Sequence, residues 1–191
     1  MESNFTILFS AVFISNIVLS QFLGICSFLG VSKNLRNALG MSAAVAFVMI
    51  LASFISWSVY YAFLAPLGLT YLKTIVFILA IASLVQLVEM FMKKNMPALH
   101  KNMGVFLPLI TTNCAILGVA LLNIQKEYTL FQSLLSAVGT AAGYTMALVL
   151  FSCIRERLED SEVPESMKNL PIALITAGCM SVAIMGLAGM H

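Results

Sequence analysis

The stretches CSFLGV at residues 26–31 and CAILGV at residues 114–119 share the pattern Cys-x-x-Leu-Gly-Val. They lie 88 residues apart (26 to 114) in a chain of 191 residues, one copy in each half. Each copy stands inside a long apolar segment. The repeated motif therefore suggests a chain built from two related halves, with a cysteine at the same place in each.

The composition predicts that the protein lies in a lipid bilayer. Hydrophobic residues make up 61% of the chain, charged residues make up 9%, and the mean hydropathy is +1.00. A soluble domain carries about 25% charged residues, so this chain has too few to cover a surface in water. The formal net charge of +2 is too small to indicate a nucleic-acid partner.

Six apolar segments are long enough to cross a membrane, since a spanning helix needs about 20 such residues. Backbone groups inside a bilayer must be satisfied internally, and the segments show no alternation of apolar and polar residues, so we predict helices. The fold class is all-α integral membrane, a single polytopic domain over residues 1–191. The predicted segments are 5–31, 38–63, 72–92, 104–124, 130–154 and 170–190.

The Lys and Arg residues predict the orientation of these helices, because cytoplasmic loops are enriched in them. Two of the ten, Lys73 and Lys126, lie in the breaks after the second and fourth segments. The other eight lie in the breaks after the odd-numbered segments. We therefore expect both termini outside and the loops 32–37, 93–103 and 155–169 in the cytoplasm.

An odd number of helices separates the two cysteine motifs, so the second copy should be inverted relative to the first. We predict two inverted three-helix repeats, about 1–97 and 98–191, with a shared site near the membrane midplane. The first and fourth helices should be broken there. Gly24 precedes the first cysteine, while Pro108 and the polar Asn113 interrupt the fourth segment.

Two thiols at the midplane allow several chemistries. Zinc prefers four ligands, usually including His, and the spans contain none. A [2Fe–2S] cluster needs four thiolates, so Cys26 and Cys114 would supply half of one. The motif could instead be packing in a structural subunit, or part of a small-solute secondary transporter, which also uses inverted repeats. Cys153 and Cys179 are predicted to be small buried residues. Roles for Glu89, Gln86 and the loop 155–169 stay open.

The chain also resembles a known family. FLGICSFLGVSKN at 22–34 and FLPLITTNCAILGVALLN at 106–123 are similar to the RnfA/NqrE family, as are IRERLEDSEVP at 154–164 and ALITAGCMSVAIMGLAG at 173–189. The run TTNCAILGVALLN is closer to RnfA of the Rnf complex than to NqrE of sodium-pumping NADH:quinone reductase. The resemblance covers the whole chain.

This resemblance implies a role in a bacterial or archaeal cell (inner) membrane. The Rnf complex passes electrons between ferredoxin and NAD, coupled to Na⁺ or H⁺ translocation. Family members hold a [2Fe–2S] cluster together with the inverted homologue RnfE, each chain giving two cysteines. The matching positions here are Cys26 and Cys114, with RnfB, RnfC, RnfD and RnfG as further partners. The chain should have no catalytic residue and no activity alone.

Overall fold

A computed structural model describes most of the chain as helices. No strand occurs among the residues that it describes, which agrees with the predicted all-α class. The described residues are 8–14, 16–33, 35–64, 66, 70–95, 107–159, 164 and 170–188.

Within these ranges, seven α-helices make up the framework, and three shorter turns adjoin them. The turns are π-helical at Ser10–Ile14 and Tyr60–Leu64 and 3₁₀-helical at Thr70–Leu72. The helices are α1 (Ile25–Val31), α2 (Leu35–Val59), α3 (Lys73–Asn95), α4 (Leu107–Thr111), α5 (Cys114–Gln125), α6 (Leu130–Glu159) and α7 (Leu170–Ala188).

Three helical stretches in the described part of the chain are long and apolar enough to cross a membrane. They are Leu35–Ala62, Lys73–Met90 and Leu130–Leu158, and two shorter apolar stretches are Leu109–Gln125 and Leu170–Gly186. The apolar helical character predicted from composition is therefore confirmed for these stretches. Six crossings, the inverted repeats and the outward termini stay predictions.

The first predicted segment is interrupted in its middle. Its π-helical turn ends at Ile14, and regular helix resumes only at Ile25. Between them, the buried Asn16 shapes the backbone: its Oδ1 accepts from the Val18 N–H at 3.2 Å, and its Nδ2 donates to the Gly143 carbonyl at 2.9 Å. Because these bonds satisfy polar groups that a helix would otherwise pair, the irregular backbone is tolerated among apolar neighbours.

The fourth segment is interrupted too, but not at the residue the sequence suggested. Pro108 is the second residue of α4, where the missing N–H of proline costs nothing. The break falls between Thr111 and Cys114, where α4 ends and α5 begins. Asn113 therefore marks the interruption, and Pro108 marks the start of the short helix before it.

Several helices extend past the boundaries set by hydropathy. α3 includes Lys73, Lys93 and Lys94, and α6 continues five residues beyond 154 to Glu159. A hydropathy boundary stops at the first charge, whereas the helical backbone continues into the interface. The predicted loop 155–169 therefore begins as helix, and Arg155 is buried rather than solvated.

The core lies where α2 packs along α6, with α5 against both. A buried polar cluster ties the three helices together: Asn123 Nδ2 donates to Ser53 Oγ at 3.1 Å, and Ser53 Oγ lies 2.9 Å from Ser133 Oγ. The interrupted first segment packs against α6 at Gly143, where an added Cβ would lie 2.9 Å from the Val12 carbonyl oxygen. Small residues let membrane helices approach this closely.

Candidate metal centre

The structure brings the two repeated cysteines together. Cys26 is the second residue of α1, and Cys114 is the first residue of α5, so each follows directly on an interruption. Their thiols interact directly through a side-chain hydrogen bond. The repeat that the sequence places 88 residues apart therefore converges on one location.

The backbone of the first copy contacts the sulfur of the second. Gly24 N–H donates to Cys114 Sγ at 2.9 Å. Gly24 precedes α1 in the left-handed conformation, with φ 85° and ψ 17°. A Cβ there would lie 3.2 Å from Ala115 Cβ and 3.4 Å from Asn113 Oδ1, so both conformation and space favour glycine.

Asn113 holds the start of α5 and reaches the first copy as well. As the N-cap residue, it accepts a hydrogen bond from the Ala115 N–H at 3.0 Å through Oδ1. Its Nδ2 donates to Ser27 Oγ at 3.3 Å. One side chain therefore both caps the helix that begins with Cys114 and contacts the residue that follows Cys26.

A buried tyrosine on α6 supports the site from behind. Tyr144 is fully buried, and its hydroxyl lies 2.9 Å from Ser27 Oγ. Ser27 Oγ also donates to the Gly24 carbonyl at 2.9 Å, so the tyrosine hydroxyl is the donor in the Tyr144–Ser27 pair. Ser27 thus bonds three partners, Gly24, Asn113 and Tyr144, and these bonds fix the first turn of α1 against α5 and α6.

Both sulfurs lie at the surface of the chain. Cys26 is exposed, Cys114 is partly exposed, and neither is in a disulfide. In the described part of the chain, no group of three or more His, Cys, Asp or Glu residues could hold a metal ion. The two thiols are therefore suited to a centre whose remaining ligands come from a second protein.

The prediction that Cys153 and Cys179 are buried was wrong. Both side chains are exposed. The surface of a membrane protein is itself apolar, so a small thiol needs no burial to be accommodated there. Neither is required for the arrangement around Cys26 and Cys114.

The other polar residues of the sequence analysis lie elsewhere. On α3, Gln86 is exposed and Glu89 is half-buried. A polar cavity of about 150 Å³ lies beside the interrupted first segment, and Gln21, Asn123, Lys126 and Thr140 are among its lining residues. Neither repeated cysteine lines this cavity.

Sequence reasoning missed two members of the site, Ser27 and Tyr144. Ser27 stands directly after Cys26, and an unaccompanied serine carries little signal. Tyr144 lies in an apolar segment, and a buried tyrosine hydroxyl usually has a hydrogen-bond partner. That rule predicts a polar neighbour for Tyr144 but does not say which one.

Comparison with known proteins agrees with this geometry. A family model described as Rnf-Nqr subunit, membrane protein, matches residues 4–191. The chain belongs to the Rnf-Nqr family. The match covers both cysteine motifs and every helix from α1 to α7, so the whole framework belongs to the Rnf-Nqr architecture.

Relatives within the Rnf-Nqr family are close in sequence and length. In Acetobacterium woodii, the subunit designated A in the Na⁺-translocating ferredoxin:NAD⁺ oxidoreductase complex is 59% identical over 184 residues, covering 96% of each chain. In Syntrophotalea carbinolica, the subunit with the same letter in an ion-translocating oxidoreductase complex is 53% identical, over 100% of this chain and 98% of the relative. The corresponding protein of Hahella chejuensis is 50% identical over the same shares.

Proposed function

We propose that this chain is the electron-transfer subunit of a membrane complex that couples electron flow between ferredoxin and NAD to Na⁺ or H⁺ translocation. Cys26 and Cys114 would hold half of a [2Fe–2S] cluster, and a partner of the RnfE type would supply the other two thiolates. The observation that carries the proposal is the direct contact of two free thiols at the surface of the chain.

The donor set fits such a centre. Thiolates are the ligands of [2Fe–2S] clusters, and four are needed. This chain brings two together, and no described group of ligands completes the set. The Gly24 N–H already donates to one sulfur, and hydrogen bonds to sulfur are among the features that set a cluster's reduction potential.

When bound, the cluster would supply a one-electron step inside the bilayer. The hydrocarbon core is about 30 Å thick, so an intermediate station shortens the path of an electron. The residues of this chain have the remaining tasks. Asn113 and Gly24 position the two sulfurs, while Tyr144 and Ser27 fill the space behind them and keep water out.

Activity of the assembled complex tests the proposal. We would measure ferredoxin-dependent NAD reduction in membranes carrying Cys26→Ser or Cys114→Ser, with Cys153→Ser and Cys179→Ser as matched controls. Loss of activity in the first two variants alone is expected. Full activity in all four would favour a structural role, and solute uptake that survives both replacements would favour a secondary transporter.

A further inference from the structure

Helix α1, which carries Cys26, rests on one face of α6. At its first turn, Ser27 bonds the Tyr144 hydroxyl. In its middle, Phe28 stacks on Phe151 with ring centroids 4.3 Å apart. Positions 144, 151 and 155 recur at helical spacing, so one stripe of α6 contacts α1 from one end to the other.

A buried arginine closes the C-terminal end of this contact. Arg155 is 6% exposed, and its Nη1 donates to the Leu29 carbonyl at 2.9 Å and to Ser32 Oγ at 2.8 Å. One turn earlier, Ser152 Oγ donates to the Ser32 carbonyl at 3.0 Å. Three hydrogen bonds from α6 therefore converge on the last turn of α1 and the residue after it.

These bonds matter because α1 is short. A helix of seven residues is marginal without tertiary support. Its last carbonyl groups have no partner within the helix, and a cation near them interacts favourably with the helix dipole. Arg155 satisfies the Leu29 carbonyl and places its charge at this end of the helix.

We propose that Arg155, assisted by Ser152, is a positioning residue for Cys26. Gly24 and Ser27 fix one end of α1, and Arg155 fixes the other, so the Cys26 sulfur is held against Cys114. Without the second anchor, α1 would pivot about Gly24 and its first turn would carry the thiol away from its partner. The proposal rests on the proposed function for its biological meaning, but its test requires no iron.

The test measures how readily the two thiols meet. The full chain is prepared in membranes with Cys153→Ser and Cys179→Ser, leaving Cys26 and Cys114, and is oxidised by copper phenanthroline in air. Mass spectrometry then gives the rate of Cys26–Cys114 disulfide formation. Arg155→Met, Arg155→Lys and Ser152→Ala are compared with Arg157→Met, which removes an exposed charge from the same helix end.

Loss of two charge-assisted hydrogen bonds should slow disulfide formation about tenfold in Arg155→Met. Arg155→Lys should recover part of the rate, and Arg157→Met should match the parent. Parental rates in both Arg155→Met and Ser152→Ala would overturn the proposal. If Arg155→Met does not accumulate, Ser32→Ala decides, because it removes one acceptor and keeps the charge: a slower rate supports the proposal, and an unchanged rate overturns it.

The same variants in the assembled complex separate this proposal from the proposed function. An iron–sulfur signal with a shifted midpoint potential in Arg155→Lys would support both. Disulfide formation that depends on Arg155 in a complex without iron would refute the cluster and support the positioning role.

Discussion

The backbone N–H of Gly24 donates a hydrogen bond to the sulfur of Cys114 at 2.9 Å. The two residues belong to different halves of the chain, so the first copy of the motif holds the cysteine of the second. Asn113 reaches in the opposite direction, from the second copy to Ser27 beside Cys26. The site therefore depends on both copies, and disturbing either should affect both sulfurs.

Gly24→Ala should destabilise the chain and loosen Cys114. The left-handed conformation costs a residue with a side chain about 1–2 kcal/mol, and the added Cβ would crowd Ala115. Thermal unfolding in detergent and the alkylation rate of Cys114 measure the two effects. Gly30→Ala is the matched control, since it lies in the helix that Gly24 precedes and its nearest added contact is at 4.0 Å. Equal effects of the two variants would contradict this account.

Asn113→Ala should cost about 1 kcal/mol of stability, because α5 loses its N-cap. Asn113→Asp should recover most of this loss, since a carboxylate also accepts from the Ala115 N–H. The aspartate variant still lacks the donor to Ser27. Chemical or thermal unfolding of the three chains gives the comparison. A stable Asn113→Ala chain with unchanged Cys114 reactivity would show that the cap is unimportant.

Tyr144→Phe should lower stability by about 0.5–1.5 kcal/mol, because Ser27 loses one hydrogen bond. The ring stays in place, so the core remains filled. Increased alkylation of Cys26 should accompany the loss as the first turn of α1 loosens. Tyr71→Phe, at a residue 97% exposed, should change neither quantity. No difference between the two tyrosine variants would exclude a supporting role for Tyr144.

Gly143→Ala should displace the interrupted first segment from α6. The new Cβ would lie 2.9 Å from the Val12 carbonyl oxygen, and forced shifts of this kind cost about 1–3 kcal/mol. Gly178→Ala on α7 is the control, since no atom lies within 4 Å of its added Cβ. A thermal unfolding series in detergent shows the difference. Unfolding temperatures that fall equally would contradict the close packing.

The sequence predicts the features that depend on composition and local pattern. Charge depletion indicates a membrane protein, and the repeated Cys-x-x-Leu-Gly-Val identifies the two sulfurs that meet. Glycine and asparagine beside the cysteines predict the interruptions, because their backbone and side-chain properties act locally. Hydropathy alone placed helix ends too early, since helices such as α6 carry charged residues in their last turn.

Features that depend on contacts between distant segments could not be predicted. The hydrogen bond between Ser27 and Tyr144 joins residues 117 positions apart, and the bond between Arg155 and Leu29 joins residues 126 apart. The pattern assigned Arg155 to a cytoplasmic loop because it is charged. Its burial follows from the unsatisfied carbonyl groups of α1, which only the folded chain brings near it.

Electron paramagnetic resonance of the purified complex, with iron and acid-labile sulfide content, tests the central claim most directly. The account predicts that Cys26→Ser and Cys114→Ser each remove the same [2Fe–2S] signal and the same iron, while Cys153→Ser and Cys179→Ser keep both. Unchanged signal and iron in the first two variants would contradict the claim that these thiols form one metal centre.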